Sequence, residues 1–261
     1  MDKKRGATVR NCLFGIFLAL FLVAGVLLLL HLRPPAATPT PPPVSSVDPV
    51  VSLPESDSDP IVELPDNPKD FAALQAEMPG IVGWITVPGT VIDYPIMRSA
   101  EEQEENFYIN HGTDGKYKYA GSIYMQKINQ PDFTDPNTVL YGHNMKNGSM
   151  FAAVHRFKKS DFFEENQYIT VCAPGQVLTY HIYSVFVYDD RHILNSFNFY
   201  DPNDYQTYLE YTLDPTSMTK QVREGVEVTT EDRILTLSTC TARDSERLIL
   251  EGVLVDVQYT K

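Results

Sequence analysis

Cysteine is scarce in this sequence. Its three thiols, Cys12, Cys172 and Cys240, are too few for a disulfide framework, and no two of them form a C-x-x-C zinc spacing. Glycine-rich phosphate loops of the G-x-x-x-x-G-K-S/T or G-x-G-x-x-G type are absent, so nucleotide chemistry is not expected. Basic residues are outnumbered: 21 Lys and Arg against 34 Asp and Glu leave a net charge of −13, which argues against a nucleic-acid partner. The acidic pairs Glu101-Glu102 and Glu104-Glu105 read as a solvated face, and neither a metal nor a cofactor is expected. What the chain has in quantity is apolar and aromatic surface. Hydrophobic residues make up 43%, with 15 Tyr and 13 Phe, enough to build a packed core and to exclude wholesale disorder. A length of 261 residues accommodates one domain of about 150 to 200 residues with accessory segments.

The first segment sets an expected address. Residues 12–30 are uncharged throughout, and a helix of that length is about 28 Å long, close to the thickness of a bilayer core. Lys3, Lys4, Arg5 and Arg10 precede the run, so the positive-inside rule places the N-terminus in the cytoplasm and the remainder outside the cell. The competing reading is a cleaved signal peptide, but the run ends Leu-Leu-Leu-Leu-His-Leu-Arg-Pro-Pro with no small-x-small site at that boundary. The expectation is a single-pass cell-membrane protein, with residues 1–33 forming a basic stub and transmembrane anchor. Residues 34–65 follow as an extracellular linker, in which Pro34, Pro35, Pro39 and Pro41-Pro42-Pro43 favour extended polyproline geometry.

Residues 66–261 then carry the folded domain. Asn67-Pro68 reads as a helix start, with Phe71, Leu74 and Met78 on one apolar face before Pro79-Gly80 ends it. Strands are expected over 81–87, 91–97, 119–125, 138–141, 168–172, 177–188, 234–240 and 248–259, separated by turn residues such as Pro88-Gly89-Thr90 and Pro174-Gly175. Helical stretches are expected at 149–157 and 204–213. Short strands with peripheral helices predict a mainly-β closed barrel or sandwich instead of a parallel α/β sheet.

Chemistry is sought where a reactive side chain leaves a rigid element. Cys240 ends the apolar strand Leu235-Thr236-Leu237-Ser238-Thr239-Cys240 and is followed by a polar loop, so its thiol is both held and reachable. Cys172 sits inside a strand pattern and suits a structural role. A Cys172–Cys240 disulfide stays open in an oxidising compartment. A nucleophilic thiol needs a proton partner and a charge stabiliser. Among six histidines, His143 stands directly after a strand in Tyr141-Gly142-His143-Asn144, whereas His31 lies at the membrane edge and His181 within a strand. Arg247 opens the last strand seven residues after Cys240, a spacing that permits an antiparallel return past the sulfur; Arg243 is the mid-loop competitor.

These motifs resemble the sortase family. Thr236-Leu237-Ser238-Thr239-Cys240 with a following Arg, Tyr141-Gly142-His143-Asn144, Ala120-Gly121-Ser122-Ile123-Tyr124 and Gly83-Trp84-Ile85 look like its class B branch, over nearly all of 66–261. The resemblance implies an eight-stranded β-barrel with added helices, anchored in the membrane of a Gram-positive-type bacterium. It implies a cysteine transpeptidase with Cys240 as nucleophile, His143 as general acid/base and Arg247 as oxyanion stabiliser. Its expected partners are exported proteins bearing a C-terminal sorting signal and an amine acceptor from peptidoglycan precursor or pilin. Ser238, which shares a strand face with Cys240, and by similarity Ile193 and Asn110, are the expected substrate contacts. A surface cysteine endopeptidase without transfer and a non-catalytic binding module are the alternatives.

Overall fold

The structure, a computed structural model, describes residues 63–261. The expected membrane helix and nearly all of the linker lie outside the described residues; among those described, no helix is long and apolar enough to cross a membrane.

All eight expected strands form, and a short ninth joins them. They are β1 (Ile81–Thr86), β2 (Asp93–Arg98), β3 (Ile123–Met125), β4 (Asn137–Tyr141), β5 (Tyr168–Ala173), β6 (Gln176–Asp189), β7 (Lys220–Val222), β8 (Ile234–Cys240) and β9 (Glu246–Tyr259). Hydrogen bonding runs β5-β1-β2-β3-β4-β8-β9-β6, and β5 pairs again with the first half of β6, so eight strands close into a barrel. Closure leaves the hydrogen-bonding groups of these strands few open edges. The unexpected β7 pairs with the second half of β6, beyond the reach of β5. The β2–β3 and β4–β8 pairs are parallel and the others antiparallel.

Two expected boundaries move for local reasons. β3 was expected from residue 119 but starts at Ile123, because Gly121 turns the chain at φ +57 and donates its N–H to Lys118 O. A Cβ at Gly121 would overlap the carbonyls of Tyr108 and Ile109, so glycine lets the 3-10 turn Phe107–Ile109 pack directly on this backbone. Helix α1 (Phe71–Glu77) is capped by Asp70, whose Oδ1 accepts from Ala73 N at 3.0 Å. Asn67 serves the barrel instead, donating from Nδ2 to Ala173 O and Thr260 Oγ1, each at 2.9 Å. The stretch expected as helical from 149 is a 3-10 helix, Phe151–Lys158, followed by α2 (Ser160–Glu165). The segment after β6 holds the one-turn α3 (Ile193–Ser196) and α4 (Pro202–Leu213), whose first turn is capped by the Asp201 carboxylate.

Strand alternation sorts the side chains into two layers. Leu140, Leu235, Leu237, Leu248 and Leu250 point into the barrel, where they pack with Phe151, Val154 and Phe157 of the 3-10 helix. Val139, Ile234, Ile249 and Val253 point outward and are covered by Tyr205, Tyr208 and Leu209 of α4. The same outward face of β8 carries Thr236, Ser238 and Cys240. Helix α4 covers it near Thr236, and its far end is open at Cys240.

Under α4 lies a fully buried carboxyl. Glu251 accepts from Tyr208 OH at 2.6 Å and meets Thr236 Oγ1 at 2.8 Å, while that hydroxyl also faces Asn137 Oδ1 at 2.9 Å. One hydroxyl proton cannot serve two acceptors, so the second donor is either a protonated Glu251 or the Asn137 amide nitrogen turned toward Thr236, whose Nδ2 is otherwise buried without a partner. Burial pushes the Glu251 pKa up to about 7 against the two hydrogen bonds that lower it. Its folded-state pKa is thus above its unfolded value, so its contribution to stability is full below about pH 4.5 and is lost as pH rises through about 7. At 1.36 kcal/mol per unit the loss is about 3 kcal/mol. Glu251→Gln is expected to flatten this part of the stability curve, and thermal midpoints of both proteins between pH 5 and 8 check it; parallel curves would refute a neutral Glu251.

Candidate active site

The register of three adjacent strands builds the site. Cys240 stands directly opposite Arg247 in the β8–β9 pair, the antiparallel return expected from their spacing. The parallel β4–β8 pair matches Tyr141 to Ser238, and one further bond, Gly142 N to Ser238 O at 3.2 Å, carries the alignment on. Two residues beyond each partner are His143 and Cys240. On the far side, β6 places Tyr188 opposite Arg247. Cys240, Arg247 and Tyr188 are therefore successive members of one row across the outer face, and His143 lies in the loop one residue past the last β4–β8 hydrogen bond. With neighbouring strands about 4.8 Å apart, Cys240 to Tyr188 spans roughly 10 Å.

Each side chain has a distinct setting. Cys240 is exposed and its thiol is free; Cys172 is also free but buried in a separate cluster with Phe71, Tyr108 and Tyr124, and burial pushes its thiol up. No disulfide joins them.

His143 leaves the sheet through Gly142. A Cβ at Gly142 would come within 2.5 Å of Ile123 Cδ1 and 2.8 Å of the Phe151 ring, so a larger residue at this exit would force both side chains to shift. Its ring donates from Nε2 to Ile109 O at 2.8 Å and stacks parallel on Tyr119 with centroids 6.1 Å apart. Because a carbonyl only accepts, Nε2 carries a proton and Nδ1 is the nitrogen left for proton transfer. The Ile109 carbonyl was not legible in the sequence, since a backbone acceptor has no residue signature.

Arg247 donates from Nη1 to Asp244 O at 2.7 Å and to Glu246 O at 2.9 Å. Those bonds brace the guanidinium on its own turn, and among the described residues Nε and Nη2 have no partner. Arg243 is paired with Glu246 at 2.7 Å on the exposed loop, pointing its charge away from this task.

Beside the row is a groove of 190 Å³. Its floor is the next row of the sheet, Tyr124, Tyr141, Ser238 and Ile249, and its walls include Asn106, Gln126, His192, Ile193 and Arg247. Ser238 and Ile193, two of the expected substrate contacts, both line this groove. Asn110 does not line the groove: it caps the 3-10 turn on the exposed side, and Asn106 from the start of that turn stands there instead. The floor is polar and uncharged. Asn106 Oδ1 accepts from Gln126 Nε2 at 2.8 Å and Tyr124 OH at 3.2 Å, and His192 Nε2 donates to Gln126 Oε1 at 2.5 Å. Burial raises the Tyr124 and Tyr141 hydroxyls and lowers the His192 imidazole, so all three stay neutral at neutral pH. Larger hollows of 410 and 590 Å³ lie elsewhere, and neither is lined by cysteine or histidine.

A nucleophile, an imidazole with one free nitrogen and the guanidinium fork of Arg247, which lines the groove, can cleave an acyl bond through a covalent intermediate. Comparison with known proteins agrees. The Sortase domain family matches residues 85–255. Sortase B of Listeria monocytogenes is 34% identical over 193 residues, covering 72% of this chain and 73% of the relative. Sortase B of Staphylococcus aureus is 28% identical over 190 residues, covering 72% and 75%. The crystal structure of Clostridium perfringens sortase B superposes with a TM-score of 0.64 at 31% identity, over 72% of this chain and 100% of that one. A Staphylococcus aureus sortase B–substrate complex gives 0.63 at 26% identity, over 71% and 84%.

Proposed function

The chain belongs to the sortase family, in its class B branch, and is a sortase transpeptidase; from that premise we propose that Cys240, His143 and Arg247 carry the reaction on a sorting signal of exported proteins. The observation that supports this reading is the register that sets Cys240 directly opposite Arg247, with His143 in the loop just past the last β4–β8 hydrogen bond.

The Cys240 sulfur attacks a backbone carbonyl of the signal lying along the Ser238 groove. As the carbon becomes tetrahedral, its oxygen takes up negative charge, and the free Nε and Nη2 donors of Arg247 stabilise it. His143, as the imidazolium that has taken up the Cys240 thiol proton, gives that proton from Nδ1 to the departing amine, and the carbon–nitrogen bond breaks to leave a thioester. An amino group of a peptidoglycan precursor or another surface protein then attacks the thioester. His143 takes the proton, the sulfur departs, and a new amide replaces the old one. The thioester conserves the energy of the broken amide, which fits a chain without phosphate loops. The apolar run 12–30 holds the enzyme in the cell membrane with the catalytic domain outside, where exported substrates and wall precursors meet.

A signal peptide incubated with and without an amine acceptor distinguishes transfer from hydrolysis by mass. The expected product carries the amine. Acid product alone at saturating amine would make the protein an endopeptidase in function.

A further inference from the structure

The nucleophile's own carbonyl has an unusual partner. Even-numbered residues of β8 direct their backbone groups toward β4, as Ser238 O shows by accepting from Gly142 N. Cys240 and Arg247 accordingly form a pair without mutual backbone hydrogen bonds, while Thr241 N turns to Glu246 O. The next ladder bond would bring the N–H of residue 144 to Cys240 O. Asn144 instead pairs with Met150 inside the loop that carries His143, so β4 has gone before the ladder reaches the nucleophile. The vacant place is filled from another element. His155, on the 3-10 helix Phe151–Lys158, has its Nε2 at 3.0 Å from Cys240 O.

We infer that His155 is a positioning residue for this enzyme, donating from Nε2 to the Cys240 carbonyl in place of the missing strand so that the Cys240 backbone, and with it the sulfur, keeps a fixed place beside His143 and Arg247. The inference rests on Cys240 being the nucleophile. A carbonyl can only accept, so the ring is the Nε2–H tautomer; that nitrogen donates in the neutral ring and in the protonated one alike. The helix is itself held firmly: Phe151, Val154 and Phe157 are buried in the barrel core, and Phe151 N donates to His143 O at 2.9 Å. One rigid element therefore fixes both the backbone behind the imidazole and the backbone behind the thiol. A nucleophile displaced by about 1 Å loses on the order of a hundredfold in rate, because the reacting atoms no longer start in an attack geometry.

The test compares His155→Leu, which keeps bulk and removes the donor, with His155→Gln, which keeps an N–H, in the full chain with a sorting-signal peptide and an amine acceptor. For His155→Leu, kcat should fall about 10- to 100-fold with KM within about twofold, and His155→Gln should recover most of it. Nitrogen NMR of the unmodified protein should show the His155 ring protonated at Nε2 throughout the neutral range. A ring protonated only at Nδ1 overturns the inference without any variant. So does full activity in His155→Leu, or equal losses in both variants tracking equal losses in thermal midpoint, which would mark a purely structural residue. Cys240→Ala run alongside separates the two readings: if it stays active, the nucleophile assignment fails, whereas an inactive Cys240→Ala beside a fully active His155→Leu removes only the role of His155.

Discussion

Cys240→Ala is expected to abolish both acyl-enzyme formation and amine transfer, lowering the rate by about 10⁴-fold or more, as loss of the nucleophile does where the catalytic groups act as a unit. The physical reason is the absence of any substitute. Among the described residues the other thiol, Cys172, is buried in a different cluster, its acidity suppressed by desolvation. The folded state should scarcely notice the change, because the Cys240 side chain is exposed and its backbone bonds are untouched; surface substitutions of this kind stay within about 0.5 kcal/mol. The measurement is the intact mass of the protein after mixing with a signal peptide, together with product yield. The unmodified enzyme gains the mass of the acyl fragment and the variant does not. A variant that retained the adduct would place the nucleophile elsewhere and remove the basis of the proposed mechanism.

His143→Ala should lose about 10²- to 10⁴-fold with an amide substrate, the range of a general acid or base. Its mechanism predicts more than a loss. An amine is a poor leaving group until it is protonated, and the Nδ1 of His143, left open by the Nε2–Ile109 bond, is the nitrogen proposed to give that proton. A substrate in which the scissile amide is replaced by a thioester needs no such proton on departure. With that substrate the acylation step of His143→Ala should approach the unmodified rate, while transfer to an amine, which still needs its proton removed, stays slow. Rapid-mixing measurement of the acyl-enzyme and of final product separates the two steps. Equal losses in acylation with both substrates would contradict an acid role and leave His143 as a residue that shapes the groove.

Much of this was legible from the chain. A mainly-β barrel or sandwich followed from alternating apolar strands and the turns between them, whereas the eight-stranded barrel and the roles of Cys240, His143 and Arg247 rested on the resemblance to sortases. The misjudged elements share one cause. β3 begins at Ile123 because a glycine demanded by the close approach of Tyr108 and Ile109 breaks the strand early. α3 and β7 are too short to show a period, and Asn67, expected as a helix cap from Asn67-Pro68, instead bonds through Nδ2 to residues more than a hundred positions away. Asn110 and Asn106 sit on the same turn, and which of them reaches the groove depends on how that turn packs.

Local patterning alone determined which residues lie inside the barrel and which face outward, and it set the seven-residue return that brings Arg247 back beside Cys240. It did so because side-chain alternation and turn geometry are properties of neighbours in the chain. Tertiary structure decided the parallel register that aligns Tyr141 with Ser238, the Ile109 carbonyl that selects the histidine's free nitrogen, the raised pKa of the buried Glu251 and the His155 donor behind the nucleophile. Each of these depends on backbone groups or buried charges brought together from distant segments. Desolvation and hydrogen bonding act through space, and the order of residues does not record which distant groups will meet.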